Sequence, residues 1–198
     1  TFPADYSPPA LMVYYFQEIA SMRSGGYNLP NFDDIRRDVG AKNIIRLSLP
    51  GEESNADEKK VRRDAFEEFL PSKLVDRATA YFNESYRTLV LLHEIIGHGS
   101  GTYDTTKYGD KEDPISALGA LGSALEEQRA DLTALVFAAD PTLVEVGRYK
   151  NQEEANLIRD IMYDTYLADF LRHLSKERTF SEAHQRGNWL LVNLLIEG

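Results

Sequence analysis

Apolar positions are scattered over the first 50 residues and become periodic after residue 60. LMVYYFQEIASM (11–22) suits a helix or a strand, and SGGYNLPNFDD (24–34) is rich in turn residues and reads as loop. NIIRLSL (43–49) is β-branched enough for a short strand, and PGEESNADEKK (50–60) reads as a polar, solvated connector. From there the spacing turns helical. FNESYRTLVLLHEIIGH (82–98) is apolar at Leu89, Leu92 and Ile96, with Ser85 as the candidate N-cap. GSGTYDTTKYGDKED (99–113) is a glycine- and aspartate-rich loop. Asp113 and Pro114 then set a capping residue before a first-turn proline. They predict a helix that runs to Asp140, where Pro141 stops it. Residues 151–177 form a long amphipathic pattern with Leu157, Ile161, Leu167 and Leu171 close to one face. Ser181 is placed to cap a last helix through WLLVNLLIE (189–197). There is no internal repeat and no low-complexity tract. The expectation is a mainly α chain: an irregular or strand-containing region over 1–60, followed by a helical region over 61–198.

Composition narrows the partners. The 198 residues leave room for one domain with a sizeable core, and 42% hydrophobic with 27% charged residues is ordinary for a globular protein. A net charge of −10 argues against nucleic acid or an anionic membrane surface as the main partner. It fits a cationic or free-amine substrate only weakly, since solubility accounts for it as well. With no cysteine, disulfides and thiolate metal sites are excluded, so any zinc must sit on His, Asp and Glu. The opening TFPADYSPPALMVYY lacks the basic-then-apolar order of a signal peptide. No apolar run approaches the roughly 18 residues of a membrane span. A soluble, cytoplasmic protein is the default expectation.

The chemistry begins at HEIIGH, residues 93–98. Zinc-hydrolase helices carry two histidines four residues apart, with a glutamate after the first. Here the spacing is five. On a regular helix, four residues leave side chains about 40° apart and five leave them about 140° apart. A regular helix therefore sends His93 and His98 to different sides. One π-type turn would absorb the extra residue, and such turns cluster at functional sites; local unwinding at the helix end, just before Gly99 and Gly101, would serve too. Gly97 is the residue expected to ease it, because glycine tolerates irregular backbone. Glu94 could face the open position of a metal and act as general base on a water. A histidine-rich helix is more often a surface feature. Burying two histidines and a glutamate in the apolar run LVLLHEIIGH without a purpose would be costly, however.

Two histidines leave a catalytic zinc one protein ligand short. The stronger source of a third is ALEEQRAD (124–131), where Glu126 and Glu127 stand in a small, apolar stretch. Glu127 and Asp131 are four apart, on one helix face. A ligand carboxylate with a second carboxylate behind it suits the way histidine ligands are oriented. The bland alternative is an exposed helix face with Arg129 as an ion-pair partner.

HEIIGHGSG followed about 30 residues later by EEQRAD resembles the dipeptidyl peptidase III family of zinc peptidases, with its six-residue HExxGH motif and its EExxAD motif. NLPNFDDIRRDVGAKN (28–43) and FSEAHQRGNWLLVNLLIEG (180–198) are similar to the family's flanking segments, so the resemblance spans most of the chain. It implies a helical, zinc-binding catalytic lobe. His93, His98 and Glu127 would hold Zn2+, and Glu94 would activate the water. Glu126 and Asp131 would hydrogen-bond the ligand histidines. His184 would steady the substrate or transition state, and Asn28 and Asn31 would contact the bound peptide. His173 matches no family position and reads as structural or surface. Gln128 stands where many members have cysteine, a change expected to be harmless. Asp131 is one methylene shorter than the glutamate often found there, and Asn188 replaces an arginine of vertebrate-type members.

The implied function is a zinc exopeptidase that releases dipeptides from the free N-terminus of short peptides. Family members are longer and two-lobed, so the expectation is a fragment that needs the rest of its parent chain as the second lobe. Two other readings accompany it. Some fungal relatives are described as oxidases acting on aflatoxin, although zinc itself is not redox active. The chain could also be a zinc-stabilised helical module that catalyses nothing.

Overall fold

The computed structural model describes residues 26–29, 42–45, 56–101, 104–107, 114–176 and 182–197. Two short strands, β1 (Gly26–Leu29) and β2 (Lys42–Ile45), pair antiparallel, with Tyr27 opposite Ile44 and Asn28 opposite Asn43. All other regular elements among the described residues are helical. They are α1 (Ala56–Phe69), α2 (Ser72–Leu92), α3 (Pro114–Leu118), α4 (Gly122–Phe137), α5 (Pro141–Glu145), α6 (Gln152–Lys176) and α7 (Ala183–Glu197). The mainly α expectation holds, with a small strand pair ahead of the helices. The 24–34 stretch read as loop supplies β1, because Tyr27 and Leu29 of this turn-rich segment find a partner strand 16 residues away. The 50–60 stretch read as connector already becomes α1 at Ala56. The 11–22 stretch read as helix or strand, residues 46–49 and the Ser181 cap lie outside the described residues.

The core forms where α1, α2 and α6 meet. Phe66 and Leu70 pack on Val75 and Ala78 of α2 and on Ala168 of α6, with Phe69, Leu74 and Phe82 at the margin. A second cluster joins Tyr149 to Ala155 and Ile158, and the Tyr149 hydroxyl donates to the Ala138 carbonyl at 3.0 Å. On α6 the inward positions are Ala155, Ile158, Ile161, Met162, Thr165 and Ala168. Ile161 thus faces the core as expected, whereas Leu167 is 43% exposed.

Ser85 does not cap a helix. It lies fully buried in the middle of α2, its hydroxyl donating to the Phe82 carbonyl at 2.9 Å. Its own backbone therefore satisfies the polar group that looked like a boundary. The helix expected from Pro114 to Asp140 is broken after Leu118, where Gly119 adopts a left-handed φ of +57° in a 3-10 turn. Pro141 does not merely end a helix. It opens α5, with the Asp140 side chain accepting from the Thr142 N–H at 2.9 Å.

α2 and α4 lie against each other, α7 packs on α4, and both strands run beside the segment that follows α2. That junction holds the chemistry.

Candidate metal centre

α2 does not stop at Leu92 but continues as a π turn over His93–Gly97. The His98 N–H donates to the His93 carbonyl at 2.9 Å, closing the wider ring. The extra residue is absorbed there, and both imidazoles come to one side. Their centroids are 4.6 Å apart with the rings near perpendicular, at 89°.

Gly97 serves a different purpose from the one expected of it. Its backbone does not enter the left-handed region. A Cβ at position 97 would instead stand 2.8 Å from both Cα and Cβ of Ala130 and 2.9 Å from its carbonyl oxygen. Glycine here lets the π turn touch α4 backbone to backbone, which brings the carboxylates of α4 within reach.

Those carboxylates occupy both nitrogens of each ring. Glu127 Oε2 lies 3.2 Å from His93 Nε2 and 3.4 Å from His98 Nε2. Behind them, His93 Nδ1 is 2.7 Å from Asp131 Oδ1, and His98 Nδ1 is 2.9 Å from Glu126 Oε1. A carboxylate at Nδ1 keeps a proton there and leaves Nε2 to a ligand. One ligand atom from each of His93, His98 and Glu127 falls within 4.8 Å of the others. Two imidazole nitrogens and a carboxylate oxygen are the donor set of a catalytic zinc with an open position, so these residues fit the metal.

The electrostatics match that use. Burial disfavours charge on His93, but hydrogen bonds from Asp131 and Glu127 outweigh it and carry its pKa up to about 10. In the metal-free chain a proton thus occupies the place a cation would take. Burial likewise opposes the charge on Glu127, yet its hydrogen bonds to His184, His93 and His98 hold it far below the usual carboxylate range. Glu94 goes the other way. It is only 8% exposed, and burial raises its pKa against the pull of His93 and His98. A carboxyl with raised pKa beside a cluster of imidazoles is suited to take up and return a proton.

His184, on α7, joins the cluster. Its Nε2 lies 3.0 Å from Glu127 Oε2 and its Nδ1 2.9 Å from Glu182 Oε1. The ring stacks 5.8 Å from that of His93. The hydrogen bond to Glu127 outweighs burial, and with help from Glu182 it pushes His184 up to about 9, so it is cationic at neutral pH. His173 lies apart on α6, beside Asp169 and Arg172. Asn28 belongs to β1, with its side chain outside the described residues, and Asn31 lies outside them altogether.

Other contributors escape a reading of the sequence. Arg129 is more than a surface ion-pair partner. It donates to both Glu126 oxygens, at 2.8 and 2.6 Å, and to the carbonyls of Gly97 at 2.8 Å and Ser100 at 3.3 Å. Burial opposes the Glu126 charge, but Arg129 and then His98 hold its pKa down to about 2. Arg129 stands at an unspecified position of the EExxAD motif, and nothing in the motif shows that this arginine ties down the end of the π turn. Tyr166 on α6 donates to Asp131 Oδ2 at 2.9 Å. Burial and the Asp131 charge push its hydroxyl well above the ordinary tyrosine value. Gln128 is buried, and its amide has no hydrogen-bond partner among the described residues. A neutral exchange at that position is therefore not what the packing supports.

Comparison with known proteins places these motifs in context. The model of "Peptidase family M49" matches residues 10–104 and 102–198. Dipeptidyl peptidase 3 of Dictyostelium discoideum is 25% identical over 169 residues, covering 72% of this chain and 23% of that protein. Dipeptidyl peptidase 3 of Mus musculus is 23% identical over 199 residues, and that of Homo sapiens 22%, each covering 87% of this chain and 26% of the relative. The chain spans about a quarter of the length of these curated relatives.

Proposed function

The chain belongs to peptidase family M49, and from that premise we propose that it forms the zinc-binding part of an exopeptidase releasing dipeptides from the free N-terminus of short peptides. The observation that carries the reading is the convergence of His93, His98 and Glu127 beside Glu94, which the same π turn presents. His93, His98 and Glu127 would hold the ion. Bound there, zinc would supply Lewis acidity to polarise a carbonyl and make water a better nucleophile at neutral pH.

The remaining roles belong to the protein. Glu94 takes the proton of the attacking water on its carboxylate and returns it to the leaving amine. Asp131 and Glu126 hold the Nδ1 protons of the two ligand histidines. His184, half exposed, offers an N–H to the carbonyl oxygen as negative charge builds on it. Asn28 is a candidate peptide contact, supported by the position of β1 alongside the π turn, and Asn31 is proposed with it. The rest of the polypeptide would close the cleft over the peptide.

Mass spectrometry of a short peptide with a free amine tests this. Release of the N-terminal dipeptide, abolished by chelation and restored by zinc, is the expected result. Zinc binding with no cleavage by the full-length protein would leave a helical module stabilised by its metal and no exopeptidase.

A further inference from the structure

We propose that Tyr166 and Asn188 are positioning residues of the metal centre, forming a relay from α7 through α6 that fixes the orientation of His93. Tyr166 Oη lies 2.9 Å from Asp131 Oδ2 and 2.9 Å from Asn188 Oδ1. A phenol has one proton and cannot donate to two oxygens. The ionised carboxylate of Asp131 only accepts, so the proton goes there. The Asn188 amide must then turn its N–H2 toward Tyr166, an orientation equivalent in shape to the one with oxygen inward. The chain acquires a single sense: Asn188 donates to Tyr166, Tyr166 to Asp131, and Asp131 accepts from His93 Nδ1 at 2.7 Å.

Both Asp131 oxygens are thereby committed. Oδ1 holds His93 and Oδ2 is held by Tyr166, so the carboxylate cannot swing about its last torsion. Removing the hydroxyl frees that rotation and lets the His93 ring tilt away from the direction that Glu127 and His98 share. The relay also crosses three helices. Asn188 follows His184 by four residues, which puts the two on one face of α7. The seating of α7 is thus felt at the metal through His93, on a path separate from the His184 contact with Glu127.

The inference rests on zinc binding at this centre as proposed above, and its test reads metal affinity, not peptide cleavage. Zinc dissociation constants would be measured by chelator competition on the full-length polypeptide and on Tyr166→Phe, Asn188→Leu and the double variant. Tyr149→Phe serves as control, because it removes another buried hydroxyl, one that bonds the Ala138 carbonyl and none of the site side chains. Tyr166→Phe should weaken zinc binding by about tenfold, as loss of an outer-sphere partner does. Asn188→Leu should weaken it in the same direction, the double variant no further than Tyr166→Phe alone, and Tyr149→Phe should leave it unchanged. The visible spectrum of the cobalt-substituted protein should shift in Tyr166→Phe and not in the control. If Tyr166→Phe does not fold, Asn188→Leu carries the test. Wild-type affinity in either relay variant overturns the relay and leaves the exopeptidase reading standing. A wild-type protein that binds no zinc overturns both.

Discussion

The amide of His98 donates to the carbonyl of His93 at 2.9 Å, and through this bond two histidines five residues apart share one side of a helix. Within the same turn, Gly97 lies so close to Ala130 of α4 that no side chain fits between them. Gly97→Ala should therefore push the π turn off α4. The expected loss is about 1–3 kcal/mol of stability, typical of overpacking, together with weakened zinc binding. Thermal melting and zinc titration of the variant check this. A variant with full stability and full zinc affinity would mean that the backbone contact does not set the site.

Glu94→Ala should separate binding from chemistry. The three proposed ligands remain, so zinc content is expected to be unchanged. Turnover should fall by roughly 10²–10⁴-fold, the scale of a lost general base. Zinc analysis and peptide kinetics on the same sample distinguish the two effects, and near-normal turnover would remove Glu94 from its role.

Stripping the metal should reveal a pH dependence with two limbs. His93 rises from its ordinary 6.5 to about 10 in the folded chain, so its stabilisation is complete below 6.5 and is lost as pH climbs through about 10. Glu126 falls from 4.5 to about 2, so its stabilisation is complete above 4.5 and is lost as pH drops through about 2. Melting temperatures of the metal-free protein should be highest between 4.5 and 6.5 and decline on both sides. Zinc takes the place of the proton on His93 Nε2 and should shrink the alkaline limb, to which His184 also contributes. An alkaline limb of equal size in the zinc form would argue against His93 as a ligand.

Arg129→Met should move the acid limb upward. Its two bonds to Glu126 are the largest influence opposing burial there, so the carboxylate should protonate at higher pH. Two carbonyls at the end of the π turn also lose their donor. Each buried bond of this kind costs about 1–3 kcal/mol when one partner is removed. Acid unfolding followed by circular dichroism reads the shift, and an unmoved acid midpoint would show that Arg129 does not control Glu126.

Much of the centre could be read from local spacing. The five-residue gap between His93 and His98 ruled out a regular helix there, and Glu126, Glu127 and Asp131 fall on consecutive turns of one helix. Helical periodicity gave the long α6 for the same reason. What escaped depends on distant partners. Ser85 looks like a cap until α2 is seen to bury it, and β1 exists only because β2 comes back to it. Gly97 owes its identity to Ala130, on another helix. Tyr166 reaches Asp131 across 35 residues of chain and Asn188 reaches Tyr166 across 22, and no motif links positions so far apart.

Each imidazole is gripped from the same side by the same helix: His93 by Glu127 and Asp131, His98 by Glu127 and Glu126. The site is therefore a clasp with two jaws, residues 93–98 and 126–131. A slide of α4 along the π turn would open all four grips together, leaving no state in which one histidine stays engaged while the other swings free. Neither His93 nor His98 is then held independently of the other, and the seating of one helix sets the geometry of both rings.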